Sequence, residues 1–209
     1  MHPAIGLVLA YLLGSIPAAY IAGRASGVDL RKHGSGNLGA TNAWRVLGWK
    51  IGLAVYAFDT AKGALPVLFL PRWLPSARPE LWAIAYGVAA IAGHVWPIFL
   101  GGKGGGKGVA TAGGVFLALA WVELLVTFGV FAAVLAVSGY VSLGSILAAV
   151  TLPIVLLVTR GVQSPLFVVS ILLAVFVVWT HRANVGRLRR GEESKFRGKR
   201  ASNLPEVPR

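Results

Sequence analysis

Apolar runs of about 20 residues, the length that an α-helix needs to cross a bilayer, recur along almost the whole chain. Hydrophobic residues make up 56% of the 209 residues, which is too apolar for a water-soluble domain. The runs lack the two-residue alternation of a membrane β-barrel, and helices satisfy their own backbone hydrogen bonds in lipid. The sequence therefore predicts an all-α integral membrane protein, a helical bundle that forms a single polytopic domain over residues 1–209.

The apolar runs divide into seven predicted membrane crossings. The run from Val109 to Val137 is too long for one ordinary crossing, so we expect two short helices that turn near Glu123. The other crossings are expected at about Ile5–Ala22, Ile51–Leu70, Leu81–Leu100, Leu143–Thr159 and Pro165–Thr180.

Basic residues set the expected orientation of this bundle. Lysines and arginines gather in the connection after the first crossing and in a tail that begins at about residue 181. Cytoplasmic segments of membrane proteins carry such an excess of positive charge. We therefore expect the N-terminus outside and the C-terminal tail in the cytoplasm. Four polar stretches then share the cytoplasmic face, namely residues 34–45, 101–108, 138–145 and 181–187.

The formal net charge is +13 at pH 7, from 20 basic and 7 acidic residues. A positive net charge could indicate binding to nucleic acid. Here the basic residues lie mostly in a few connections and in the tail, which is the distribution expected for the cytoplasmic segments of a membrane protein. We expect anionic lipid headgroups and phosphorylated substrates as partners, and no nucleic acid. The chain has no cysteine, which excludes disulfides, thiol nucleophiles and cysteine-ligated metals.

The most glycine-rich stretch is GGKGGGKGVAT, with six glycines and two lysines. Glycine permits positive φ and leaves backbone N–H groups accessible, so consecutive amides can form a nest for an anion. A helix that begins at Val109 would add the positive end of its dipole. The candidate phosphate ligands are Lys103, Gly104, Gly105, Gly106, Lys107 and Gly108.

Two alternatives apply to this glycine loop, residues 101–108. It partly matches the phosphate loop of nucleotide-binding proteins, but Gly108 stands where a magnesium-binding hydroxyl is needed, and no strand precedes it. The nucleotide loop is therefore excluded. A flexible connector with lysines on the cytoplasmic side stays open from this stretch alone.

The first polar stretch, GSGNLGATNAWR, passes from small and amide residues into a helical segment. Thr41 and Arg45 are four residues apart and so share a helix face. Ser35, Asn37, Asn42 and Arg45 can all reach an anion. The alternative is an ordinary turn with a helix cap at Thr41 and a solvated arginine.

The last two polar stretches are SGYVSLGS and HRANVGRL. The first is typical of a turn between helices, with Ser142 or Ser145 as a candidate ligand donor. In the second, His181 and Asn184 lie three residues apart and share a helix face. His181 is either a structural histidine or a polar residue of a site.

Charged groups also occur inside the predicted crossings. Asp59 and Lys62 are three residues apart, and each would cost about 3 kcal/mol if it were unpaired in the bilayer. We expect a structural ion pair, with a role in substrate or proton handling as the alternative. His94, in GHVWP, is expected to pack at the interface, where it could support the glycine loop.

Four motifs occur in an order that resembles a known family. They are SGNLGATNAWR, GHVWPIFL followed by GGKGGGKGVAT, GYVSLGS and HRANVGRL. The chain resembles the acyl-phosphate-dependent glycerol-3-phosphate acyltransferases of bacterial membranes over about Gly14 to Lys195. The resemblance implies a seven-helix fold in the bacterial inner membrane, with an active site that faces the cytoplasm.

The resemblance also implies an activity. In that reaction a fatty acyl group moves from acyl phosphate to the 1-hydroxyl of sn-glycerol 3-phosphate, giving lysophosphatidic acid and phosphate, the first acylation step of phospholipid synthesis. Ser35, Arg45, His181 and Asn184 are then catalytic, Lys107 and the glycines bind phosphate, and Glu193 is structural. No cofactor is implied. We expect no metal, and the oligomeric state is open, a monomer included.

The glycine loop departs from the family pattern. The family reads KGGKG after an aromatic residue, whereas here Gly102 replaces the aromatic residue and KGGGKG has one more glycine. Lys107, directly before GVAT, still aligns with the second lysine of the family motif. The extra glycine leaves open which position of the motif Lys103 occupies. The competing functions are a transporter of phosphate-bearing anions or phospholipids and a scaffold subunit. The chain lacks the paired repeats of many transporters, and a scaffold would not need four polar stretches.

Overall fold

The fold consists of helices joined by loops over residues 2–196, the part of the chain that this computed structural model describes. No strand occurs in that range, which confirms the predicted all-α class. The helices are α1 Ala4–Gly14, α2 Ala18–Ala25, α3 Ala40–Leu47, α4 Trp49–Trp73, α5 Pro79–Val95, α6 Val109–Leu119, α7 Trp121–Ser138, α8 Val141–Arg160, α9 Pro165–Thr180 and α10 Arg182–Arg189. The last part of the predicted basic tail, residues 197–209, lies outside the described residues.

Five helical stretches among the described residues are long and apolar enough to cross a membrane. They are Ala4–Ala25, Trp49–Trp73, Pro79–Leu100, Trp121–Ser138 and Val141–Arg160. A sixth is counted if α9 and α10, which meet at a bend of 56°, are taken as one span. Helix α6 is apolar but has 11 residues, too few for a full crossing. The count of seven crossings stays a prediction.

The first crossing is interrupted, which the sequence analysis did not predict. Helix α1 ends at Gly14, and α2 begins only after Pro17. Proline has no backbone N–H to donate into a helix, which explains a break at this point. The segment predicted over Ile5–Ala22 is therefore two helices.

The long apolar run divides into two helices, α6 and α7, as predicted, and the break lies three residues before Glu123. The interruption is Ala120, with φ −157° and ψ 56°, and Glu123 lies in the first turn of α7 instead of at a turn. A carboxylate is favourable there because the N-terminus of a helix carries partial positive charge. Neither glycine nor proline marks Ala120, so the sequence offers no local signal for the break.

The chain divides into two compact units, and the first of them ends at Leu119. In it α4 packs against α6, and α1 packs against α5. Glycines bring these helix backbones close: an added Cβ would meet the Thr111 backbone at Gly63, the Thr60 carbonyl at Gly114 and Ala90 at Gly14. Small residues allow such close packing of membrane helices. The single-domain prediction stays a prediction.

The second unit begins at Ala120 and is built on α7, α8 and α9 in sequence. Helices α7 and α8 are joined by an ion pair in which Arg160 Nε lies 2.7 Å from Glu123 Oε1. After α10 the chain returns to the turn that precedes α8, where the N–H of Phe196 donates to the Gly139 carbonyl at 2.7 Å.

Candidate functional site

The first polar stretch is organised by the side chain of Asn42, which is 1% exposed. Asn42 Oδ1 accepts the N–H of Ser35 at 2.9 Å, and its Nδ2 donates to the carbonyls of Leu30 and His33, both at 3.1 Å. Asn42 thus holds the loop in front of α3, which differs from the direct phosphate contact that the sequence predicted. Ser35 stays exposed at the surface of this loop.

Helix α3 begins at Ala40 after Gly39, so Thr41 lies within the helix and does not cap it. Arg45 lies one turn later on the same face and is partly buried. Asn37 is also partly buried, in the loop before the helix. This stretch therefore presents a hydroxyl, an amide and a guanidinium group from one short segment.

The glycine loop uses left-handed backbone conformations, as its composition predicted. Gly101, Gly102, Gly104 and Gly108 have φ values of 69°, 73°, 72° and 83°. L-residues with a side chain rarely adopt this region, so glycine is required for the path of the chain. The predicted helix follows at Val109, with its positive dipole end next to Gly108.

Two residues of the loop are fitted closely against their neighbours. A Cβ on Gly105 would meet the backbone carbonyls of His94 and Val95 at the end of α5. A Cβ on Gly106 would meet the imidazole ring of His94 and the carbonyl of Leu38. Because Leu38 belongs to the first polar stretch, the structure brings residues 34–45 and the glycine loop together.

Not every amide of the loop is available for an anion. The N–H groups of Gly101 and Gly102 donate to Ile98 and Pro97, and that of Gly106 donates to the His94 carbonyl at 3.3 Å. The predicted use of the Gly106 amide as a phosphate ligand is therefore replaced by an internal hydrogen bond. Within residues 2–196, the amides of Gly104, Gly105 and Gly108 donate no hydrogen bond to the protein.

The two lysines of the loop differ in exposure. Lys103 is exposed, and Lys107, directly before Gly108 and the start of α6, is partly buried. These two lysines and the amides of Gly104, Gly105 and Gly108 are the candidate phosphate ligands of the loop. Among the described residues no group of three or more His, Asp or Glu side chains could hold a metal ion.

In the second unit, polar side chains from two of the predicted polar stretches form hydrogen bonds to one buried glutamate side chain. Glu193 Oε1 accepts hydrogen bonds from Ser142 Oγ at 2.7 Å and from Asn184 Nδ2 at 2.6 Å. Its Oε2 accepts from Arg187 Nε at 2.7 Å. Residues 138–145 and 181–187 are thus brought together by one carboxylate.

The environment of Glu193 favours its charged form. Burial alone would raise the pKa of the carboxyl, but the hydrogen bonds from Asn184, Ser142 and Arg187 hold the pKa below its ordinary value. The charged carboxylate in turn fixes the amide of Asn184 and the hydroxyl of Ser142. Both side chains are more than nine-tenths buried.

His181 has a defined tautomer at the junction of α9 and α10. Its Nδ1 lies 2.8 Å from the Val177 carbonyl, which can only accept a hydrogen bond, so the proton of the neutral ring is on Nδ1. Nε2 is then the basic nitrogen. The ring is buried, so its position at this junction is fixed by packing and by the hydrogen bond to Val177.

The predicted ion pair in α4 is present and has a third member. Lys62 Nζ lies 2.8 Å from Asp59 Oδ1, and His94 Nδ1 lies 3.5 Å from the same oxygen. The sequence predicted the pair from its spacing but did not connect it to His94.

The sequence and the fold of the chain are both similar to those of known proteins. A family model described as glycerol-3-phosphate acyltransferase matches residues 4–191. The glycerol-3-phosphate acyltransferase of Geobacter sulfurreducens is 47% identical over 190 residues, covering 90% of this chain and 95% of that protein. That of Parasynechococcus marenigrum is 46% identical over 191 residues, covering 91% and 88%.

The chain belongs to the glycerol-3-phosphate acyltransferase family. It is an acyltransferase and an integral membrane protein. Two crystal structures of PlsY, an integral membrane glycerol 3-phosphate acyltransferase, have the same fold. The glycerol 3-phosphate form has a TM-score of 0.84 at 37% identity, and the lysophosphatidic acid form has 0.81 at 35%. Each comparison covers 92% of this chain and 94% of the other.

Two contacts of this acyltransferase had little or no signal in the sequence. The family resemblance implied a structural Glu193 but not its partners, although the acidic residues Glu192 and Glu193 directly after the basic run RLRRG were a visible signal. The contact of Gly106 with His94 agrees with the expected support of the glycine loop by His94, whereas the contact of Gly106 with Leu38 had no signal in spacing, because these residues are distant in sequence.

Proposed function

We propose that this acyltransferase moves a fatty acyl group from acyl phosphate to the 1-hydroxyl of sn-glycerol 3-phosphate, releasing lysophosphatidic acid and phosphate, as the first acylation of phospholipid synthesis. The observation that carries the proposal is the glycine loop, in which the amides of Gly104, Gly105 and Gly108 donate no hydrogen bond within residues 2–196 and lie in sequence beside two lysines and the N-terminus of α6. The names of the relatives and the glycerol 3-phosphate and lysophosphatidic acid forms of PlsY support the acceptor and the product.

The two phosphate groups are assigned to two neighbouring stretches. The glycine loop, with Lys107 and Lys103, receives the phosphate of the acyl donor. Ser35, Asn37 and Arg45 receive glycerol 3-phosphate, because a guanidinium and a hydroxyl suit a phosphate dianion. The contact between Gly106 and Leu38 keeps these stretches adjacent, which supports the assignment.

The chemistry requires positioning more than a strong nucleophile. The 1-hydroxyl oxygen attacks the acyl carbonyl carbon, the bond from that carbon to the phosphate oxygen breaks, and the electron pair leaves with phosphate. Holding two dianions together and stabilising the leaving phosphate is work for amides, lysine and arginine. The hydroxyl proton goes to the departing phosphate itself.

Polar residues of the second unit are assigned to catalysis and to its support. His181 and Asn184 are catalytic, and Ser142 has a supporting role because its hydroxyl donates to Glu193. We assign Asn42 a supporting role instead of direct contact because its polar atoms bind the loop.

We place the chain in the bacterial inner membrane with seven crossings, the N-terminus outside, the C-terminus and active site in the cytoplasm. The basic connection and tail support this orientation. Single cysteines can be introduced because the chain has none. An impermeant thiol reagent on intact cells should label Ala77→Cys and leave Lys50→Cys unlabelled; the reverse pattern would overturn the orientation.

The function is tested with purified protein, glycerol 3-phosphate and matched acyl phosphate, acyl-CoA and acyl-carrier-protein donors. Lysophosphatidic acid should form from acyl phosphate alone, and a metal chelator should not change the rate. Robust turnover with acyl-CoA and none with acyl phosphate would refute the donor assignment.

One variant ties the activity to the proposed acceptor site. Arg45→Ala should lower turnover by about 10- to 100-fold, since a charge-assisted contact contributes about 1.5 to 3 kcal/mol. Arg24→Ala removes an exposed arginine of the same basic connection and is the matched control. Equal activity of both variants would remove Arg45 from the site.

A further inference from the structure

His94 lies at the last turn of α5, buried, with 6% of its surface exposed. Its carbonyl accepts the N–H of Gly106, and its ring occupies the space that a side chain at Gly106 would need. The same residue therefore contacts the loop through both its backbone and its ring.

The other side of the ring faces a buried ion pair. His94 Nδ1 lies 3.5 Å from Asp59 Oδ1, and Lys62 Nζ lies 2.8 Å from that oxygen. Both charged side chains are 2% exposed. Lys62 also donates to the carbonyl of Ile16 at 2.9 Å, in the break between α1 and α2. Four separate segments of the first unit are linked through this cluster.

An ion pair needs only two partners to neutralise its charges. Moving both charges out of water costs about as much free energy as their mutual attraction contributes. The pair in α4 lies beside an imidazole whose Nδ1 is 3.5 Å from Asp59 Oδ1 and whose far edge meets the glycine loop. One ring thus lies between the buried carboxylate and Gly106.

We propose that His94 is a positioning residue for the glycine loop: its ring, oriented by Asp59, sets the path of the chain at Gly106 and so the shape of the phosphate site. This inference rests on the proposed function for the identity of the ligand. It requires that removal of the ring loosens the loop and weakens binding of a phosphate-bearing substrate, with a smaller effect on the rate at saturation.

A double-mutant cycle between His94→Ala and Gly106→Ala tests the ring directly. Each single variant should raise the KM for a phosphate-bearing substrate by about tenfold. In the double variant the added methyl group enters the space that the ring has left, so the combined effect should fall at least about threefold short of the product of the two.

Gly105→Ala is the matched control in the same cycle. Its added Cβ would meet the carbonyls of His94 and Val95, which His94→Ala leaves in place. The effects of Gly105→Ala and His94→Ala should therefore multiply. If the effects of Gly106→Ala and His94→Ala on KM also multiply, the ring does not position the loop and the proposal is overturned.

A second variant guards against misfolding of His94→Ala. Asparagine at position 94 keeps a polar group near Asp59 and removes the far edge of the ring that faces Gly106. When His94→Asn is combined with Gly106→Ala, the rise in KM should therefore also fall short of the product of the two single effects. A fully multiplicative result with His94→Asn would also overturn the proposal.

Hydrogen exchange of the segment 100–108 gives a readout that does not depend on activity. His94→Ala should speed exchange at the Gly106 amide, which the His94 carbonyl otherwise protects, by at least about threefold. Glu123→Gln removes a different buried carboxylate, at the α7–α8 ion pair, and should leave this exchange unchanged. Unchanged exchange in His94→Ala would refute the positioning role, whereas wild-type protein inactive with every donor would refute only the proposed function.

Discussion

The glycine loop of the first unit and the Glu193 cluster of the second unit are held by different forces. The loop is fixed by close steric fit, with Gly105 and Gly106 against backbone carbonyls and an imidazole ring. The cluster around Glu193 is fixed by charge-assisted hydrogen bonds from three donors to one carboxylate. The difference predicts that small added groups will damage the loop, and that loss of charge will damage the cluster.

The largest effect is expected from Glu193→Ala. It leaves buried Asn184 and Ser142, and the guanidinium of Arg187, without their shared acceptor, at a cost of about 3 kcal/mol. Thermal unfolding in detergent would show a lower midpoint. Glu192→Ala is the control, because that neighbour pairs with Arg190 at the exposed surface, where an ion pair contributes less than about 1 kcal/mol. Equal midpoints for the two variants would mean that Glu193 organises nothing.

A smaller effect is expected from one methyl group in the loop. Gly105→Ala forces a Cβ against two carbonyls, and overpacking of this kind costs about 1 to 3 kcal/mol. Gly113→Ala adds the same group within α6, where nothing lies within 4 Å, and alanine favours a helix over glycine. The first variant should lower the unfolding midpoint, and the second should leave it unchanged or raise it. If both lower it alike, steric fit does not distinguish the loop.

The smallest effect is a pH dependence confined to the charged cluster. The pKa of Glu193 lies below its ordinary value of 4.5, so the folded state binds the proton less readily than the unfolded state. Its stabilisation is complete above about pH 4.5 and is lost as the pH falls through the folded-state pKa.

Comparison of wild type with Glu193→Gln isolates this dependence. The difference in unfolding midpoint should be constant from pH 7 to 5 and should shrink below that range. The deficit of Gly105→Ala, which is steric, should stay constant over the same titration. If the unfolding midpoint of the wild type exceeded that of Glu193→Gln by more at low pH than at neutral pH, the proposed role of the carboxylate would be contradicted.

Much of the helical framework was predictable because apolar length and flanking polar residues are local properties. Helices α4, α8 and α9 and the start of α6 fall within a few residues of their predicted positions. The interruption before α2 had a signal in Pro17, but a single apolar run concealed it. The length of the apolar run predicted the break between α6 and α7, but no glycine or proline marks its position at Ala120.

The candidate site was predictable by residue type and less so by role. The glycines with positive φ follow from composition. The use of the Asn42 amide to hold the loop could not be inferred, because its partners Leu30 and His33 contribute carbonyls that every residue has. The same reason hides the contact of Gly106 with Leu38.

Helix α6 has a consequence for the bilayer itself. Eleven residues rise about 16 Å, roughly half of a hydrocarbon core of about 30 Å. If α6 starts at a face of the membrane, as the proposed topology requires, its end at Leu119 lies within the hydrocarbon region, and the interrupted backbone at Ala120 follows there. Lipid cannot satisfy broken backbone hydrogen bonds. Ala120 is 1% exposed, so the protein shields this interruption from the acyl chains around it.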